Sequence, residues 1–151
     1  SHDGLLIATP KYNGFIPPLL VNLFSWTSRP EPHEPPGLVY QDKPVALAAS
    51  SPGRLGGIRV IPRMRDAASE LGMIPVPGFV TIPNAKTAFA ADGTLEDETI
   101  AHDMEAVVNR LLTLFVKIKE KRPKRISGCE QAPDQNDKTG QAGKQAASSV
   151  G

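Results

Sequence analysis

The chain has 151 residues, 40% of them hydrophobic, 22% charged and 5% aromatic, and 17 basic residues stand against 16 acidic ones for a net charge of +1. This length suits one domain, and the near-balance of charge argues against a chain built wholly for nucleic acid or an acidic surface. One cysteine, Cys129, excludes an internal disulfide and a cysteine-held zinc site, and no apolar run approaches the ~18 residues of a membrane span.

The chain opens Ser1-His2-Asp3-Gly4, without an initiator Met, and enters an apolar run at once. It shows no basic start, long apolar stretch or small-residue cleavage site of a secretory signal, and so abrupt a beginning leads us to expect missing upstream sequence or a processed product. Gly4–Thr9 is a continuous apolar run of the kind a strand buried on both faces shows in a parallel sheet. Pro10 ends it, and Lys11-Tyr12-Asn13-Gly14 supplies a turn through Asn-Gly, the dipeptide most tolerant of positive φ. Pro17 and Pro18 suit the first turn of a helix whose apolar side is Leu19, Leu20, Leu23, Phe24 and Trp26.

Residues 30–37 form a proline-rich loop. Lys43–Ser50 reads as a second buried strand, followed by the glycine-rich loop Ser51-Pro52-Gly53-Arg54-Leu55-Gly56-Gly57. Ile61, Met64, Ala68 and Leu71 then recur on one helical face, with Pro62 in the first turn and Gly72 as the stop. Met73–Ile82 is a third strand region, broken by Pro75 and Pro77 and so irregular or near an edge. Thr94-Leu95-Glu96-Asp97 resembles a capping box with Asp at its last position. Ile100, Met104, Val107, Val108, Leu111, Phe115 and Ile118 form the apolar stripe of a final helix. The order is strand, helix, strand, helix, strand, helix, which is the pattern of an α/β domain with a parallel sheet.

Residues 1–116 carry 9 basic and 12 acidic residues, whereas 117–151 carry 8 and 4. From Lys121 onward only Ile126 and Val150 are sizeable apolar residues, so 121–151 is expected to be a disordered tail. Its basic cluster, Lys117 to Arg125, suits the C-terminal end of a helix dipole; the alternative is a weak nucleic-acid, membrane-surface or import patch. Cys129 lies there without a scaffold, and His2, His33 and His102 are too scattered for a metal site. Arg54, Arg59, Arg63 and Arg65 gather around the second loop and helix, either as a solvated, ion-paired face or as a contact for a dinucleotide phosphate.

Two loops, Pro10–Pro18 and Ser50–Gly57, follow the carboxyl ends of buried strands, where open α/β sheets bind ligands. Their N–H groups and glycines suit a flat polar heterocycle or an anion, although such loops also serve as plain connectors.

The run Pro10-Lys11-Tyr12-Asn13-Gly14, then Pro17-Pro18, Leu20, Asn22, Trp26 and Ser28-Arg29, resembles the P-E-Y-N-x-x-x-P-x-x-L-K-N-x-x-D-W-x-S-R signature of the NAD(P)H-dependent FMN reductases. That family includes chromate, quinone and azo reductases. Lys43-Pro44-Val45, Ser50-Ser51-Pro52-Gly53, Gly56-Gly57, Leu71-Gly72 and Asp92-Gly93 follow the family's later course, so the resemblance spans about residues 3–118.

The resemblance implies a flavodoxin-like, three-layer fold with FMN at the strand ends. By this likeness the domain occupies 1–120 and forms the C-terminal part of the fold, an incomplete sheet with three strands and three helices of the usual five-stranded arrangement. Carried over residue by residue, the flavin contacts are Pro10, Lys11, Tyr12, Asn13 and Gly14 from the first loop and Ser50, Ser51 and Gly53 from the second. No catalytic acid or base is implied. The reaction would be hydride transfer from NAD(P)H to FMN and then to a quinone, free flavin or similar small-molecule acceptor, in a cytoplasmic dimer or tetramer with no membrane or nucleic-acid partner. The alternative is a truncated, non-catalytic flavodoxin-like remnant that serves as an oligomer or interaction partner.

The chain departs from the signature at Lys11 (for Glu), Val21 (for Lys) and Ser25 (for Asp). It also carries no S-x-R-x-x-S loop for the FMN phosphate before Gly4. At roughly 30 residues per strand-plus-helix unit, about 60 residues of the family pattern are expected upstream.

Overall fold

The computed structural model describes residues 2–34 and 37–121. The tail beyond Lys121, including Cys129 and half of the basic cluster (Arg122, Lys124 and Arg125), lies outside the described residues. Strand β1 (Leu5–Pro10) leads through helix α1 (Pro18–Thr27) to β2 (Pro44–Ser50). A 3-10 turn (Ile58–Val60) runs into α2 (Ile61–Glu70), and β3 (Ile74–Pro75), β4 (Val80–Ile82) and α3 (Glu98–Lys121) complete the order.

All strand pairing is parallel. β2 is central: β1 pairs with it from Leu5↔Val45 to Pro10↔Ser50, while β3 and β4 share its other edge. The third strand region is thus one line of chain broken in two, as the prolines predict. Ile74 and Val76 donate their N–H groups to Lys43 and Val45, so Pro75, lying between them, faces the open edge where no donor is needed. Pro77 then interrupts the ladder. Two arginines hold the break: Arg65 donates to the carbonyls of Val76 (2.9 Å) and Gly78 (2.8 Å), and Arg110 donates to that of Pro77 (3.3 Å).

Alternation along β2 divides the core. Val45, Leu47 and Ala49 meet Phe24, Val60, Ile61, Met64 and Ala68 on the α1 and α2 side, while Ala46 and Ala48 meet Val107, Val76, Val80 and Ile82 on the α3 side. The small alanines let α3 lie close to the strand. Tyr40 closes the first layer edge-on to Phe24, and its hydroxyl hydrogen-bonds that of Thr27.

Three expectations change. β1 is not buried on both faces: Leu5 and Ile7 pack inward, but Leu6 is 48% exposed on the side where α3 covers β2 and β4. On α1 only Phe24 is buried; Leu19 and Trp26 remain 80% and 74% exposed. The capping box is replaced by a simpler cap. Asp97 accepts hydrogen bonds from the N–H groups of Thr99 and Ile100 ahead of α3, so it is the cap itself, while Thr94 turns back to the carboxylate of Asp92.

Candidate functional site

The parallel register brings the carboxyl ends of β1 and β2 to the same level, Pro10 opposite Ser50. The N–H of Lys11 donates to the carbonyl of Ser50 at 3.2 Å, carrying the pairing one step into the loops. The two loops singled out from the sequence therefore sit side by side on one end of the sheet.

The first loop is a tight reversal. Tyr12 and Phe15 exchange backbone hydrogen bonds (3.2 and 2.8 Å) around Asn13 and Gly14, whose φ values are +51° and +85°. Positive φ at both central residues is the geometry that selects Asn-Gly. Tyr12 stands exposed at the tip, and neither Asn13 nor Gly14 has a hydrogen-bond partner among the described residues. Phe15 is covered by the guanidinium of Arg63 from α2, 4.5 Å from the ring centroid. Arg63 also donates to the carbonyl of Arg59 at 2.7 Å.

The second loop folds back over the sheet. Ser51 is buried; its N–H donates to Ile82, and its hydroxyl accepts from the N–H of Gly53 at 3.3 Å. Gly56 and Gly57 have positive φ, and both are tightly enclosed. A Cβ on Gly56 would lie 2.8 Å from the nitrogen of Pro83, and one on Gly57 would lie 3.0 Å from the Cβ of Ala49. Side chains are excluded here because the backbone must pass across the ends of β2 and β4. Arg54, at the outer bend, has no intramolecular partner among the described residues.

Sequence reasoning missed a third segment, Pro83–Thr87. Ala85 donates to Ser51 (3.1 Å) and Asn84 to Gly53 (3.4 Å), so this stretch buttresses the second loop from behind. The Pro83-Asn84 pair directly after a strand was the available signal. Arg65 leaves the expected arginine cluster, because its guanidinium is committed to Val76 and Gly78.

All eight predicted residues, Pro10, Lys11, Tyr12, Asn13, Gly14, Ser50, Ser51 and Gly53, lie in these two neighbouring loops or at the strand ends they follow. Unpaired main-chain donors at Asn13 and Gly14, an exposed aromatic ring and a nearby cation can hold the polar edge of a flat heterocycle. Among the described residues there is no group of three metal-ligating side chains, and no helix is long and apolar enough to cross a membrane.

Residues 1–87 match the family model for NADPH-dependent FMN reductase. Over 97 residues the chain is 37% identical to the NAD(P)H-dependent FMN reductase PA1204 of Pseudomonas aeruginosa, covering 64% of this chain and 50% of that protein. It is 35% identical over 72 residues to a 2-hydroxy-1,4-benzoquinone reductase of a Burkholderia species, covering 48% and 37% respectively. In solved structures the fold is similar to the flavoenzyme NAD(P)H:(acceptor) oxidoreductase FerB of Paracoccus denitrificans, with a TM-score of 0.63 at 27% identity over 76% of this chain and 62% of that one. The chain thus spans about half the length of the Pseudomonas relative and less of the Burkholderia one.

Proposed function

Since the chain belongs to the NADPH-dependent FMN reductase family, we propose that the two loops at its strand ends hold the isoalloxazine edge of FMN and that the protein, or the longer protein it forms part of, passes reducing equivalents from NAD(P)H to a small acceptor such as a quinone. One observation carries this reading: the 3.2 Å hydrogen bond from Lys11 to Ser50, which seats the two signature loops together at the strand ends.

The residues present fit the cofactor's ring. The N–H groups of Asn13 and Gly14 point to no partner of their own and suit the ring's carbonyl and imine acceptors. Gly53, where an added Cβ would meet only the Ser51 hydroxyl at 3.8 Å, lets main chain approach closely, and Tyr12 can cover one ring face. Lys11, where the family pattern has Glu, brings a cation toward a ring that gains negative charge on reduction, which favours the reduced form. Bound FMN itself supplies the capacity to accept and return a hydride. The protein orients and tunes it, and no side-chain acid or base is required for that step.

The test is reconstitution of the full chain with FMN. Stoichiometric uptake of yellow flavin, bleached by NAD(P)H without oxygen and restored by a quinone, is the expected result. A chain that stays colourless across a range of FMN concentrations counts against the reading.

A second reading, a non-catalytic partner that assembles with copies of itself or with relatives, is favoured by α1. Leu19, Leu23 and Trp26 are exposed together on its outer side, with Asn22 and Trp26 hydrogen-bonded to each other at 3.1 Å. Sedimentation equilibrium checks it: assembly that Trp26→Arg abolishes supports a subunit contact at this helix, and a monomer at high concentration removes it.

A further inference from the structure

Helix α3 has two apolar sides. Ile100, Met104, Val107, Leu111 and Leu114 pack toward the sheet, whereas Leu112 and Val116 stand 54% and 48% exposed. Glu105, Asn109, Leu112, Val116 and Lys119, spaced four, three, four and three apart, are all exposed and lie along one side of the helix. That spacing is the seam by which one helix packs along another. The flank of the seam costs little to bury. The Thr113 hydroxyl already donates to the carbonyl of Asn109 at 2.8 Å, and the Lys119 Nζ lies 5.4 Å from the centroid of the Phe115 ring.

Charge selects what this seam pairs with. Residues 98–109 carry Glu98, Asp103 and Glu105 and no Lys or Arg, whereas 110–121 carry Arg110, Lys117, Lys119 and Lys121 against Glu120, so the two halves of α3 bear net charges of −3 and +3. A complementary partner is basic beside the first half, acidic beside the second and apolar between them. A second α3 running the opposite way meets all three conditions. With a two-fold axis at Leu112, positions equally far from it on the two helices stand opposite: Leu112 meets Leu112, Val116 meets Val108, and Glu105 meets Lys119, twice over. Parallel pairing would set like charges side by side. We propose that the outer side of α3 is a self-association surface at which two copies of this chain pair antiparallel. One pair of helices buries less than the ~1,600 Å² of a standard interface, so the dimer is weak and reversible. The surface needs no bound flavin, and α1 lies on the opposite face of the sheet.

Sedimentation equilibrium of the full chain over a wide range of concentration tests the surface, using variants at exposed positions that keep their circular dichroism. The unaltered chain should form dimers, and raising the salt from low to physiological strength should weaken them severalfold. Leu112→Glu, which sets two carboxylates together at the axis, should raise the dissociation constant about tenfold or more. Glu105→Lys and Lys119→Glu should each weaken self-association, because each places like charges opposite one another at both ends of the seam. Mixing those two variants should restore association to the original strength, since both ends then carry opposite charges again. A merely weakened helix would gain nothing from mixing. A chain that stays monomeric at every concentration, dimers indifferent to Leu112→Glu, or two charge variants that fail to complement each other would overturn the proposal. So would dimers that Trp26→Arg abolishes and Leu112→Glu spares, which would place the contact at α1.

Discussion

Strands β1 and β2 look alike as text and differ as structure. Leu5-Leu6-Ile7-Ala8-Thr9 and Val45-Ala46-Leu47-Ala48-Ala49 are both unbroken apolar runs, paired residue for residue and ending in loops on the same side. β2 has strands on both edges and packed layers on both faces, and Val45–Ala49 are all buried. Among the described residues β1 has one neighbour and one covered face, and Leu6 and Ala8 look outward. A continuous apolar run states that a strand tolerates burial on both sides; what is laid against it decides whether that burial occurs. The loops inherit the difference. The turn after β1 has open space around Gly14, whereas the loop after β2 is wedged against β4 at Gly56.

The sharpest way to break this comparison is a matched truncation. Leu47→Ala removes a side chain that is 2% exposed and should cost about 2–5 kcal/mol in denaturant unfolding. Leu6→Ala should cost less than about 1 kcal/mol, and near-equal losses would show that β1 is covered in solution. The glycines carry the contrast into the loops. Gly56→Ala combines a φ of +54° with a Cβ 2.8 Å from Pro83 nitrogen and should cost about 3 kcal/mol together with flavin uptake. Gly14→Ala, with a φ of +85° and nothing within 4 Å, should cost about 1 kcal/mol.

β2 owes its second edge to the broken third strand. Arg65→Met, which keeps the stem but loses both carbonyl contacts, should cost about 2 kcal/mol and raise hydrogen exchange in β4 before β1. Its second face depends on α3, and Asp97→Ala, which removes the cap, should cost about 1 kcal/mol in thermal or denaturant melts. The smallest effect lies in the turn leading to that helix. The Thr94 hydroxyl and N–H hold the Asp92 carboxyl below its ordinary value. A carboxyl lowered by folding adds stability above its unfolded pKa and loses it as pH falls through the folded one. Thr94→Val should move the Asp92 titration upward by NMR and leave stability at neutral pH nearly unchanged, because the group is fully exposed.

Much of the site was legible because its constraints are local. Asn13-Gly14 names a reversal with positive φ at both positions, and Gly56-Gly57 names a place where side chains cannot fit, since these are properties of the backbone at those residues. The strand–helix alternation and the edge position of the third strand followed from periodicity and from the missing donors of Pro75 and Pro77. Less accessible were contacts between segments far apart in the chain. Pro83–Thr87 behind the second loop, Arg63 on Phe15 and Arg65 on the β3–β4 break depend on which elements become neighbours, and no spacing rule encodes that. The cap of α3 was misassigned because Thr94 and Asp97 both suit the role, and only the helix start decides between them.

By itself the sequence determined the parallel α/β order and the two loops at the strand ends, because dihedral preferences and hydrophobic period act within a few residues; the family followed from the likeness of their motifs. Tertiary structure alone decided that the loops meet through Lys11 and Ser50, that Arg63 lies over Phe15 and that, among the described residues, β1 stays half bare. Those outcomes depend on which surfaces exclude water from one another, and burial is a property of neighbours rather than of the residue buried.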